Sequence, residues 1–282
     1  MLLAENEQDY LMEFRRLTGS LGAEVLGLDL SAPLDPTDMA EVYAALCRFS
    51  VLLVRAPELT SEQHMAFGRA MGDIEVHAFF PNLGAGYEQV TVLDSNDGAT
   101  ASIWHTDETF LPHPPLGTIT WAKEMPSYGG DTMWSSTTAA YRALSENMKS
   151  YLEGLSAVHD LAGLIAMKAR FGLDTYEQYG EAIIAGRRTA HPVVRAHPVT
   201  GRKGLFVNPT YTTHIVGLPP DESDLILGFL YRHMIKEQFT WRHSWQVGDL
   251  AIWDNRSTMH RVIPDFTEHR LMHRVSIVGR PE

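Results

Sequence analysis

The stretch "FTWRHSWQVGDLAIWDNRSTMHRV", Phe239–Val262, decides the fold class. It reads as short apolar and aromatic strands separated by turn residues, with no helical spacing between them. The run "HRLMHRVSIVG", His269–Gly279, continues in the same way. A parallel α/β fold needs regular strand–helix alternation, which the C-terminal third lacks. The expectation is a mainly β chain with helices (α+β), a sandwich or barrel decorated with helices.

Upstream segments supply the decoration. "LGAEVLGLDLSAPLD" (Leu21–Asp35) predicts a strand or hairpin leading to a helix start at Asp35-Pro36-Thr37, and "DMAEVYAALCRFS" carries that helix. "SVLLVRAP" (Ser50–Pro57) predicts a buried strand, and "LTSEQHMAFGRAMG" (Leu59–Gly72) a short helix capped by Thr60 or Ser61. Strands are expected in "EQVTVLD" (Glu88–Asp94), "LGTITWA" (Leu116–Ala122) and after the turn in "PSYGGDTMWSS" (Pro126–Ser136). One long helix is expected in 136–155 and another in "PPDESDLILGFLYRHMIK" (Pro219–Lys236). "HPVVRAHPVTGRKGLFVN" (His191–Asn208) predicts two strands joined by a turn. Residues 160–190 mix glycine, charge and scattered aromatics, and are expected to form a lid or an irregular excursion.

At 282 residues and 44% hydrophobic, the chain can bury a sizeable core, and a single domain over 1–282 is expected. The net charge of −12 argues against a nucleic-acid partner. The single cysteine, Cys47, excludes an internal disulfide and favours a cytoplasmic setting. No signal segment or membrane span is evident, so no membrane partner is expected.

"WHTDETF" (Trp104–Phe110) raises the question of chemistry. In a strand, His105 and Asp107 would share one face and could grip one ion. With a second imidazole they would form the two-histidine, one-carboxylate triad of non-haem Fe(II) oxygenases, and His260 is the best candidate. A lone His-x-Asp is common by chance in a chain with 13 histidines, so the spacing alone leaves ordinary polar residues as an open alternative. Arg270 and Arg274, four apart in a strand-like run, would share a face with Met272. They are either solvated on an edge strand or sit at two anion sites matched to the guanidinium fork.

Taken together, "WHTDETF", "PSYGGDTMWSS", "HPVVRAHPVTGRKGLFVN", "GDLAIWDNRSTMH" and "HRLMHRVSIVG" resemble, in order and across most of residues 20–280, the taurine dioxygenase/TfdA-like family of Fe(II)- and 2-oxoglutarate-dependent dioxygenases. The resemblance implies a double-stranded β-helix (jelly roll). It implies Fe(II) on His105, Asp107 and His260, and the far carboxylate of 2-oxoglutarate on Arg270 and Thr132. It also implies O2 as cosubstrate, with succinate and CO2 released. Trp253 matches a tryptophan near the iron and is expected to pack. With Asp107 present the triad is complete, so halogenation is not expected.

For the substrate, Arg274 and His77 match an anion clamp. Phe80 and Ala101 stand where taurine enzymes carry a tyrosine and an asparagine, and Leu161 stands for a phenylalanine. A roomier, more apolar pocket follows, suited to an alkyl or aryl sulfonate, an alkyl sulfate ester or an aryloxyalkanoate. A biosynthetic hydroxylase of a carboxylate metabolite, taurine dioxygenase itself, a non-catalytic jelly-roll binding protein and a zinc hydrolase are the competing readings. The resemblance also implies a homo-oligomer, a dimer or tetramer.

Overall fold

The computed structural model describes residues 12–55, 58–77, 80–97, 101–162 and 187–278. Most of the expected lid at 160–190 lies outside them. In chain order the strands and helices are β1 (Glu13–Arg16), β2 (Ala23–Leu26), α1 (Pro36–Phe49), β3 (Val51–Arg55), α2 (Ser61–Met71), β4 (Asp73–Ile74), β5 (Thr91–Asp94), β6 (Gly117–Glu124), β7 (Thr132–Ser136), α3 (Thr137–Arg142) and α4 (Glu146–Leu152). They continue with β8 (Ser156–Asp160), β9 (Arg188–Pro192), β10 (Val194–Ala196), β11 (Lys203–Leu205), β12 (Thr212–Ile215), α5 (Pro220–Met234), β13 (Thr240–His243), β14 (Asp249–Asp254), β15 (Thr258–Val262) and β16 (Leu271–Val278).

The large sheet runs β1-β2-β3-β14-β6-β16-β4, with β5 also paired to β16. Its centre is assembled from distant parts of the chain: β14 sits between β3 and β6, and β6 sits between β14 and β16. Period-two alternation sorts these strands' side chains into two layers. On one face Leu52, Val54, Ile119, Ile252 and Ile277 meet Val42, Leu46 and Phe49 of α1 and Phe67 and Met71 of α2. On the other, Val51, Ala122, Ala251, Trp253 and Met272 meet Trp134 of β7 together with Trp241 and Trp245. That inner layer brings the large sheet against the three-stranded sheet β13-β7-β15. A second three-stranded sheet, β12-β8-β9, and the β10-β11 hairpin complete the strands.

Local chemistry explains most boundaries. Asp35 accepts from the N–H groups of Thr37 and Asp38 (2.7 and 2.9 Å) and starts α1. Ser50, left-handed at φ 65°, ends it. Thr60, not Ser61, caps α2, through a reciprocal pair with Gln63. The single helix expected over 136–155 is two helices: Ser136 caps α3, and Ser145 caps α4 by accepting from Met148 N–H. A serine that offers its oxygen to the backbone competes with helix continuation, which accounts for the break. β1 was not expected; "EFRR" is polar and mostly exposed, and is held by pairing with β2. Among the described residues no helix is long and apolar enough to cross a membrane.

Candidate active site

His105 and Asp107 do not lie in an extended strand. His105 makes a single antiparallel bridge to His260, and Asp107 opens a turn. The bridge is reciprocal: His105 N–H donates to His260 O (2.9 Å) and His260 N–H to His105 O (2.7 Å). His260 lies in β15, paired to Trp134 of β7, so the bridge anchors the "WHTDETF" segment to a sheet.

The side chains then converge. His105 Nε2 is 3.6 Å from Asp107 Oδ1, and His260 Nε2 is 3.7 Å from the same oxygen. The three ligand atoms lie within 4.8 Å of one another, and all three residues are buried. His105 Nδ1 donates to Ile103 O (2.8 Å), which leaves Nε2 as a lone pair. Asp107 Oδ2 accepts from the Thr118 hydroxyl (2.9 Å) and faces Arg274 Nη2 at 3.3 Å, so Oδ1 is the oxygen presented to the histidines.

Burial keeps both imidazoles neutral. It lowers His105, and it takes His260 to about 3 with help from His105 and Arg274 against the pull of Asp107. Burial alone would raise Asp107, but Arg274, His260, His105 and the Thr118 hydrogen bond together hold it below the usual carboxylate range. The His105 lone pair and the carboxylate oxygen therefore face each other as acceptors, and His260 Nε2 completes the set in the tautomer that carries its proton on Nδ1, an atom with no hydrogen-bond partner among the described residues. That donor set fits a divalent transition metal, which would relieve the repulsion. The Trp253 ring lies 4.6 Å from that of His260 and belongs to the inner apolar layer, a packing role as expected.

A buried guanidinium, that of Arg270, lies beside the start of β7. Arg270 precedes β16 instead of lying within it, and a register shift at Leu271/Met272 separates it from the regular part of the strand. The expected shared face therefore holds for Met272 and Arg274 but not for Arg270. Arg270 is 7% exposed; its N–H donates to Ser95 Oγ and its Nε to Gly130 O, both at 3.0 Å. Burial lowers it to about 10, with Asp131 opposing, so it stays cationic near neutrality. Gly130, at φ 68°, allows the approach: a Cβ there would sit 3.2 Å from Arg270 Cδ. Two residues on, Thr132 begins β7, and its Oγ1 accepts from Trp245 Nε1 at 2.9 Å.

Arg274 lies opposite Thr120 of β6 and Thr91 of β5. It is buried, and among the described residues its Nε and Nη2 make no hydrogen bond. His77 is buried with its ring 4.8 Å from that of Phe80. Burial lowers it to about 3, with Arg274 and Arg187 adding and Asp107 opposing. His77 and Arg274 thus share one neighbourhood. Ala101 is exposed, and its carbonyl accepts from Val262 N–H (2.8 Å) of β15. Leu161 is fully buried.

Three residues at the site escaped the sequence reading. Thr118 orients Asp107, and Trp245 bonds Thr132. Glu108, next to Asp107 at φ 48°, is buried with Oε1 3.7 Å from His77 Nε2. Burial, only partly offset by Arg274 and reinforced by Glu75 and Asp107, pushes its carboxyl well above the usual range. The inward threonine alternation of "LGTITWA" was the available signal for Thr118. Glu108 offered none, because a glutamate in a turn ordinarily reads as solvated.

Cys47, His197 and Asp254 also cluster. There His197 Nδ1 accepts from the N–H groups of Val199 and Thr200, its Nε2 donates to Asp254, and Arg256 covers both Asp254 oxygens. Every ligand lone pair on His197 is used and a cation is already present, so the cluster is a structural tie beneath the β14–β15 turn.

The comparisons place the chain among known proteins. Residues 13–276 match the family model "Taurine catabolism dioxygenase TauD, TfdA family". The chain is 34% identical over 275 residues to an alkylsulfatase of Acinetobacter baylyi, covering 95% of this chain and 85% of that protein. It is 32% identical over 274 residues to an alpha-ketoglutarate-dependent sulfate ester dioxygenase of Pseudomonas putida, covering 95% and 90%. A solved taurine dioxygenase from Burkholderia xenovorans is similar with a TM-score of 0.81 and 33% identity, over 95% of this chain and 90% of that one. The chain belongs to the TauD/TfdA family and is an Fe(II)- and 2-oxoglutarate-dependent dioxygenase.

Proposed function

We propose that the enzyme oxidises a small organic anion, with alkyl sulfate esters the favoured class. The observation that carries this is Arg274. It is a buried guanidinium beside the triad; among the described residues its Nε and Nη2 make no hydrogen bond, and Nη2 lies 3.3 Å from Asp107 Oδ2. A cation left this way is stabilised by an incoming anion. The names of the two relatives, an alkylsulfatase and a sulfate ester dioxygenase, support the choice of class.

In this reading His105, Asp107 and His260 hold Fe(II), and Arg270 with Thr132 holds the far carboxylate of 2-oxoglutarate. Iron with 2-oxoglutarate and O2 supplies the oxidation of a substrate C–H bond, releasing succinate and CO2. Arg274 and His77 fix the substrate's anionic head, so the carbon next to it is the one brought to the metal. Hydroxylation of a carbon that bears a sulfate ester gives a product that collapses to an aldehyde and free sulfate. Phe80 contributes apolar wall where a hydroxyl would favour a small amine. Ala101, exposed through its side chain, contributes only by the room it leaves.

The test is product analysis with alkyl sulfates, alkyl and aryl sulfonates, aryloxyalkanoates and taurine. Aldehyde and sulfate formed in step with succinate support the reading. A stable alcohol from a carboxylate metabolite, or taurine turned over as well as the best alkyl sulfate, overturns it.

The packing of the large sheet against β13-β7-β15 supports a double-stranded β-helix, and we read residues 1–282 as one domain. A homo-oligomer, dimer or tetramer, and a cytoplasmic setting belong to the same proposal, the latter supported by one buried free cysteine.

A further inference from the structure

We propose that Trp245 is a positioning residue for the cosubstrate: its indole N–H fixes the direction of the Thr132 hydroxyl, so that the hydroxyl hydrogen is offered to the carboxylate held by Arg270. The inference rests on the reading that Thr132 and Arg270 bind 2-oxoglutarate.

The argument begins with donor and acceptor capacity. An indole N–H can only donate, and a threonine hydroxyl has one hydrogen and two acceptor positions. Trp245 Nε1 lies 2.9 Å from Thr132 Oγ1, and both residues are buried. The indole therefore occupies an acceptor position of Oγ1, and the hydroxyl hydrogen is turned away from it. Among the described residues no acceptor takes that hydrogen.

Trp245 is itself held firmly. Its ring lies 4.9 Å from that of His243 and 6.1 Å from that of Trp134, in the apolar layer between the two sheets. His243 is tied in turn, Nε2 to Asp249 Oδ2 at 2.9 Å. The hydroxyl direction is thus set by a rigid aromatic group. On the other side of the same short segment, Arg270 Nε is committed to Gly130 O (3.0 Å), two residues before Thr132. That bond fixes the guanidinium plane and leaves its two terminal nitrogens for a ligand. Each of the two donors is therefore oriented before any ligand arrives, which lowers the ordering cost of binding a carboxylate.

Anaerobic titration of the Fe(II) protein with 2-oxoglutarate tests this, read by the visible charge-transfer absorption of an iron-bound 2-oxo acid. Trp245→Phe keeps the ring stacking and removes the N–H. We expect it to weaken 2-oxoglutarate binding about tenfold, the effect of one hydrogen bond to a charged group. In a Thr132→Val background the same substitution should change binding less than about twofold, because its route of action is gone. In turnover, KM for 2-oxoglutarate should rise while kcat is largely kept.

Unchanged binding in Trp245→Phe overturns the inference, and so does an equal loss in the Thr132→Val background, which would mark a packing role. Should Trp245→Phe not fold, a benzothienyl-alanine at 245 keeps the indole shape without the N–H and is held to the same outcomes. Failure of the wild-type Fe(II) protein to bind 2-oxoglutarate at all would overturn the assignment of Thr132 and Arg270, and the inference with it.

Discussion

Thr118 donates its hydroxyl to Oδ2 of Asp107 at 2.9 Å, and with Arg274 Nη2 at 3.3 Å from the same oxygen it leaves Oδ1 to the two histidines. Thr118 comes from β6 of the large sheet, while Asp107 sits in a turn tied to β15 through the His105–His260 bridge. The His105–Asp107–His260 cluster is thus oriented from both sheets. Thr118→Val should weaken Fe(II) or Mn(II) binding by about tenfold or more, since partners of a ligand commonly matter at that scale. Equilibrium dialysis measures it, and an unchanged affinity would show that Asp107 needs no second support.

Arg274 is predicted to act on the substrate and not on the cosubstrate. Arg274→Leu should raise KM for the anionic substrate on the order of 100-fold. Binding of 2-oxoglutarate should stay near the wild-type value. Steady-state kinetics beside a 2-oxoglutarate titration separates the two, and a matched loss in both would place Arg274 elsewhere in the account.

Gly130 is predicted to accept a side chain only at a cost to stability and to Arg270. Its φ of 68° and the 3.2 Å approach of a Cβ to both Arg270 Cδ and Pro126 Cγ combine backbone strain with a clash. Gly130→Ala should cost on the order of 1 kcal/mol of stability. It should also raise KM for 2-oxoglutarate, because Arg270 must move. Thermal melting and a cosubstrate titration check the two parts.

Acid sensitivity is predicted from histidines outside the metal site. Burial lowers His64 and His159 from 6.5 to about 3, and His273 to about 4. Above about pH 6.5 these groups are neutral in both the folded and unfolded chain, so they add no pH dependence. Between that pH and about 3 to 4 the unfolded chain takes up protons that the folded one refuses. Stability therefore falls as pH falls, by on the order of 1 kcal/mol per pH unit for each such histidine. Urea midpoints at pH 7.5 and 5.0 should differ accordingly. His64→Gln should show a smaller drop, and an identical drop would remove His64 from the explanation.

How much the sequence disclosed depends on whether a residue acts through its own segment. The C-terminal strands were legible because turn residues bracket apolar runs in Phe239–Val262, and β13, β14 and β15 fall within it. The pairing of His105 with Asp107 was legible as spacing, although a single bridge and a turn replace the expected strand. Arg270 was picked as an anion site, but not its place outside β16, since a register shift leaves no trace in composition. Glu108 is not legible inside the motif itself, because its burial and its approach to His77 are set by tertiary packing of distant segments. The break between α3 and α4 turned on Ser145, whose capping role competes with a helical pattern that otherwise runs on.

The central claim is that His105, Asp107 and His260 support 2-oxoglutarate-dependent oxidation of an anionic substrate. Oxygen consumption and succinate formation with Fe(II), 2-oxoglutarate and the substrate panel test it most directly, with His105→Ala as the blank. The account predicts that an alkyl sulfate stimulates both well above the other classes, and that His105→Ala abolishes them. Succinate formation that persists in His105→Ala, or that no anion stimulates, would contradict it.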